Sequence, residues 1–66
     1  MKNTIKVERA KKSMTQKELA EALAVSRQTI IAIETGRFVP STILALKIAG
    51  YFNVSIHDIF ELEPED

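Results

Sequence analysis

Cysteine and tryptophan are absent from this sequence, and glycine and proline occur only twice each among its 66 residues. Without cysteine there is no disulfide framework and no thiolate metal site, which fits a reducing compartment. Two glycines do not make a phosphate-cradling loop. No run of 18 apolar residues exists, so no segment reads as membrane-spanning. The first stretch, MKNTIKVERAKKSM, lacks the apolar centre of a secretory signal. The expectation is a cytoplasmic protein with no membrane partner. His57 is the only histidine and has no second ligand at suitable spacing, so it reads as an exposed residue near a helix start. No metal, cofactor or small-molecule ligand is expected. Ser13, Ser26, Ser41 and Ser55 have no histidine placed to activate them, and Glu18 and Glu21 read as a solvated helix face. An enzyme is not expected.

The length corresponds to one small domain, residues 1–66. A chain of this size buries only about 60% of the surface it exposes when unfolded, so a second chain would help it. The formal net charge is zero, yet the charges are segregated. Residues 1–47 hold nine Lys and Arg against four acids, a balance of +5, and residues 48–66 hold five acids and no base, a balance of −5. A basic body can meet phosphates while an acidic tail faces away from them.

Three Ser or Thr residues follow an apolar residue and open an apolar helical pattern. Thr15 is followed three residues later by Glu18, which makes a capping box, and Met14 can staple onto Leu19. Ser26 has Val25 before it and Ile30 in the staple position, and Ser55 has Val54 and Ile59. Ser41, after Pro40, opens a further helix. Gly36 and Asn53 suit the left-handed position that ends a helix. The pattern predicts five helices over about 5–12, 16–23, 27–35, 42–52 and 56–60. The fourth is apolar almost all round (Ile43, Leu44, Ala45, Leu46, Ile48, Ala49) and is predicted to be central. The first is poorly patterned, with Glu8 where a second apolar residue is expected. Phe60 to Glu63 alternate apolar and acidic, compatible with a short strand.

The second and third predicted helices, joined by Ala24, Val25 and Ser26, form a helix-turn-helix over residues 16–35. Leu19, Ala20, Leu23, Val25, Ile30 and Ile33 are its internal apolar set. Subtracting them leaves the third helix an outer face of Arg27, Gln28, Ile31 and Thr35. Ile30 and Ile33 lie about 60° apart, and Ile31 points elsewhere, beside Arg27 and Gln28. Arginine and glutamine pair bidentately with guanine and adenine edges in the major groove, and a helix N-terminus suits a phosphate.

With these residues, TQKELAEALAVSRQTIIAIETGRFVPSTILALKIAGYF resembles the DNA-binding domain of the Xre family of bacterial and phage regulators, the lambda-repressor and Cro-like proteins. The matching residues are Gln16, Leu19, Ala20, Val25, Ser26, Ile30, Ile33, Glu34, Gly36, Pro40 and Leu46. The short length and acidic end resemble the small stand-alone members of the cytolysin-repressor kind. The resemblance implies an all-α, five-helix lambda-repressor-like fold with a short antiparallel sheet from residues 1–4 and roughly 59–63. It implies a sequence-specific regulator of double-stranded DNA, a homodimer acting as a repressor at a near-palindromic operator. Gln16 and Lys17 would lie at the phosphates. Ser26, Arg27, Gln28, Thr29 and Ile31 would sit at the groove, with Arg27 and Gln28 as base readers. Arg37 and Phe38 would meet the backbone, and Arg9 with Glu34 matches a structural ion pair. Met1, Ile56, Ile59, Phe60 and Leu62 are candidates for a dimer seam at the chain ends; alternatively Ile56, Ile59 and Phe60 close the monomer core. The other functional reading is an antitoxin or accessory protein-binding module on the same fold.

Two positions depart from the family pattern. Ala24 stands where the family usually has glycine, so either alanine takes the left-handed conformation at a cost of about 1 kcal/mol or the turn shifts. Ile31 stands where relatives often carry a polar residue. It either packs on a thymine methyl group or lies along sugar, phosphate and the stems of its neighbours.

Overall fold

The computed structural model describes residues 1–66. Its elements run β1 (Lys2–Asn3), α1 (Ile5–Lys11), α2 (Gln16–Leu23), α3 (Arg27–Glu34), α4 (Thr42–Tyr51), α5 (Ile56–Ile59) and β2 (Phe60–Glu61). The five helices stand where the sequence places them, to within a residue at each end. The two strands are antiparallel neighbours, with Lys2 opposite Glu61 and Asn3 opposite Phe60. Each strand is only two residues long, and a backbone bond from Thr4 N–H to the Ile59 carbonyl (2.9 Å) extends the pairing. No helix is long and apolar enough to cross a membrane.

One local device makes three of the helix junctions. Ser13, Ala24 and Asn53 all have a positive φ of 51–56°. At each, the helix ends by the same pair of bonds. The N–H of the left-handed residue reaches back three residues, and the next N–H reaches back five: Met14 to Arg9 (2.9 Å), Val25 to Ala20 (3.0 Å) and Val54 to Ala49 (3.0 Å). These bonds satisfy carbonyls that a helix end otherwise leaves without partners. The second residue is apolar each time, and Met14, Val25 and Val54 all pack against the core. The third opens the next helix. Thr15 accepts from Glu18 N–H at 3.0 Å while Glu18 accepts from Thr15 N–H at 2.9 Å. Ser26 accepts from Thr29 N–H at 3.1 Å, and Asp58 accepts from Ser55 N–H at 3.0 Å. The triplets Ser-Met-Thr, Ala-Val-Ser and Asn-Val-Ser are thus one turn written three ways. These hydrogen bonds hold the Glu18 and Asp58 carboxyls below their usual range. Glycine serves the same left-handed role only at Gly36, with φ of 77°.

Ala24 therefore keeps the left-handed turn, at φ 56° and ψ 42°, and does not shift it. Its side chain is exposed and gains nothing from packing. Ala24→Gly should raise the stability by up to about 1 kcal/mol, the relief of left-handed strain less the entropy of a more flexible unfolded chain. The urea midpoint measures it, and a lower midpoint would contradict it.

The core comprises Ile5, Leu19, Ala20, Leu23, Ile30, Ile33, Ala45, Ile48, Ala49, Phe52, Ile59 and Phe60. The helix-turn-helix supplies five of these, and Val25 closes over them half-buried. The expectation of a central fourth helix is corrected: α4 buries only Ala45, Ile48 and Ala49, while Ile43 (69% exposed) and Leu46 (55%) face outward. Short helices around so small a core cannot enclose one of their number on all sides. Ile59 and Phe60 are buried within the single chain and so close the monomer core, the alternative that the sequence left open. Met1 and Ile56 are half-buried against the same core, and only Leu62 projects freely, at 75% exposure.

Candidate nucleic-acid interface

The helix-turn-helix is held from behind by one polar network. Glu34, at the end of α3, accepts two bonds from the Arg9 guanidinium, from Nε at 2.6 Å and Nη2 at 3.0 Å. The remaining Arg9 nitrogen, Nη1, donates to the Met14 carbonyl at 2.8 Å. Gln16 Nε2 donates to Glu34 Oε1 at 3.2 Å. Glu34 therefore joins α1, the α1–α2 turn and the start of α2 to the end of α3. The two side chains are 12% and 7% exposed, so the planar two-bond geometry works with little water around it. Hydrogen bonding to the carboxylate raises the Arg9 guanidinium above its ordinary range. Glu8, the misfit in α1, lies half-buried and bonds Lys11 Nζ at 3.1 Å.

On the opposite side α3 is bare. Arg27, Ile31, Thr35 and Gln28 fall within an arc of about 100° on a helix of 3.6 residues per turn. Arg27 and Gln28 are exposed and make no side-chain hydrogen bond. As the first two helical residues, their N–H groups have no partner within the helix. Thr29 is half-buried; its N–H goes to Ser26, and the Ser26 and Thr29 hydroxyls bond each other at 2.8 Å. These two side chains secure the helix start and leave the outward donors to Arg27 and Gln28. The Thr35 hydroxyl donates back to the Ile31 carbonyl at 2.9 Å. Ile31 is half-buried.

Lys17 is exposed on α2, whereas Gln16 is half-buried and turned to Glu34. Beyond α3, Gly36 turns the chain, with Arg37 N–H returning to the Ala32 carbonyl at 2.9 Å. This leaves Arg37 and Phe38 exposed just past the helix. The structure thus gathers Arg27, Gln28 and Ile31 on one outward face, with Arg37 and Phe38 following it. Met1, Ile56 and Leu62 lie elsewhere, around an open groove of about 410 Å³ that His57, Phe60 and Glu61 complete.

Asn3 has a part that the sequence pattern did not disclose. Its Oδ1 accepts from Ile5 N–H at 3.2 Å, and its Nδ2 donates to the Ile33 carbonyl at 2.8 Å. One side chain thereby starts α1 and ties β1 to the end of α3. An asparagine ahead of a helical stretch is a signal for the first bond. Nothing local signals the second, which spans thirty residues.

The helix-turn-helix family profile matches residues 5–59. An uncharacterized HTH-type transcriptional regulator of Methanocaldococcus jannaschii is 54% identical over 66 residues, covering 100% of both chains. The uncharacterized HTH-type transcriptional regulator YgzD of Bacillus subtilis is 47% identical, again over 100% of both. The ImmF control region 10 kDa protein of Bacillus phage phi105 is 40% identical over 53 residues, covering 80% of this chain and 59% of that protein.

Proposed function

Because this chain belongs to the helix-turn-helix family, we propose that it is a transcriptional regulator that docks α3 in the major groove of double-stranded DNA as a homodimer. The observation that carries this reading is the division of α3. One face is core, its end is clamped by Arg9 and Gln16 through Glu34, and the other face presents Arg27 and Gln28 unpaired. A helix held so rigidly from behind can place two bidentate side chains against base edges. Arg27 and Gln28 read bases. Lys17, Arg37 and the N-terminus of α3 contact phosphate, with Phe38 against the backbone, and Ser26 and Thr29 support the helix start at the groove. Gln16 reaches a phosphate while keeping its bond to Glu34.

The seam lies at the chain ends, where Leu62 projects beside the half-buried Met1 and Ile56. A two-fold pair would present its recognition helices to half-sites about 34 Å apart, and a bound dimer over a promoter obstructs polymerase, hence a repressor. Affinity falls steeply with salt because phosphate contacts release counterions.

Selection from random duplex DNA at physiological salt tests the reading. A two-fold symmetric motif is the expected product. On that motif Arg27→Ala and Gln28→Ala should each cost about 1–3 kcal/mol and relax preference at one or two positions. Equal binding of every sequence by parent and variants would reject the groove assignment.

A further inference from the structure

We propose that the outward face of α3 carries a seat for a 5-methylpyrimidine. The seat is a shallow, largely apolar notch of about 280 Å³ lined by Gln28, Ile31, Ala32, Thr35 and Arg37. It takes the C5 methyl group of a base in the major groove, whether that base is thymine or 5-methylcytosine. The inference rests on the groove docking proposed above and adds the chemical feature that the groove must present.

The notch is apolar at its centre because of what its residues do elsewhere. Ile31 and Ala32 are half-buried, so they form a fixed wall and floor. Thr35 turns its hydroxyl inward, to the Ile31 carbonyl at 2.9 Å and the Ala32 carbonyl at 3.3 Å. Its one hydroxyl proton is thereby used within the helix, and no free donor is left in the middle. Gln28 and Arg37, both exposed, stand at the rim and supply the polar contacts. The C5 methyl is the apolar group that base edges present in the major groove. A cytosine or uracil in the same register would leave Ile31 and Ala32 covered by DNA but without that partner. Adding the methyl to cytosine restores it, so enzymatic cytosine methylation at this position changes which sequences are bound.

The main test alters the DNA and leaves the protein untouched, so its outcome does not depend on the folding of a variant. Selections are run in parallel from a standard library, one with every thymine replaced by uracil, and one with every cytosine replaced by 5-methylcytosine. The expected result is a symmetric position where thymine is enriched, where uracil loses that preference, and where 5-methylcytosine becomes accepted. One buried methyl at about 0.8 kcal/mol corresponds to about a fourfold loss per half-site, roughly fifteenfold for two. Ile31→Ala should remove the difference between thymine and uracil at that position alone. A symmetric motif that is identical in the thymine and uracil libraries would overturn the seat and leave the groove docking standing. The absence of any motif would overturn both.

Discussion

Glu34→Ala should destabilise the fold by about 3 kcal/mol, the low end for breaking a buried ion pair. The cost arises from what remains. Arg9 would keep its charge at a site where it is 12% exposed, with two of its donors unmatched. Gln16 Nε2 would lose its acceptor as well. A 66-residue domain has a total stability of about 3–10 kcal/mol, so this single change removes a large part of it. Glu34→Gln is the informative companion. It keeps a carbonyl acceptor for one guanidinium bond and should cost less than alanine. Urea denaturation by circular dichroism reads both. A loss below about 1 kcal/mol for alanine would mean that the pair behaves as an exposed surface contact. The site is also affected, because Glu34 holds the end of α3 to the start of α2. A variant that stays folded in stabilising salt should bind DNA with a loosened recognition helix.

Leu62→Glu should leave the monomer fold intact and break the proposed dimer. Leu62 is 75% exposed, so its replacement forms no cavity and should not shift the melting temperature of the monomer. Across a two-fold seam the same change brings two carboxylates together beside Glu61 and Glu63, where desolvation and repulsion act in the same direction. Losing the linkage between half-sites should weaken binding to a symmetric operator by about 10²–10⁴. Binding to an isolated half-site should hardly change, because Leu62 is not among the residues that line the notch on the outward face of α3. Sedimentation at micromolar concentration and titration of full and half operators give the two readouts. A variant that remains dimeric would move the seam to another surface, for which the outward apolar face of α4 is the next candidate.

The helices were legible in the sequence because their ends are local. Thr15, Ser26, Ser41 and Ser55 announce helix starts through bonds to residues three positions on, and such bonds depend on few other parts of the chain. The inward faces of α2 and α3 were legible for a similar reason, since periodicity alone sets which side chains share a face. α4 was misread where periodicity carried no information. A helix that is apolar all round has no preferred face, and packing against α5 and the common core chose Ala45, Ile48 and Ala49. Ile59 and Phe60 were ambiguous for the same cause, since a core and a seam want the same residue types.

The sequence by itself determined the five helices, the short capped turns between them, and the face of α3 that carries Arg27, Gln28 and Ile31. These depend on hydrogen bonds within a few residues and on the helical repeat. Only the tertiary structure decided that Asn3 ties β1 to the Ile33 carbonyl, that Gln16 turns toward Glu34, and that Ile31 and Ala32 shape a notch. Each of these depends on how separate elements or side chains are finally placed together, and a one-dimensional pattern does not contain that placement.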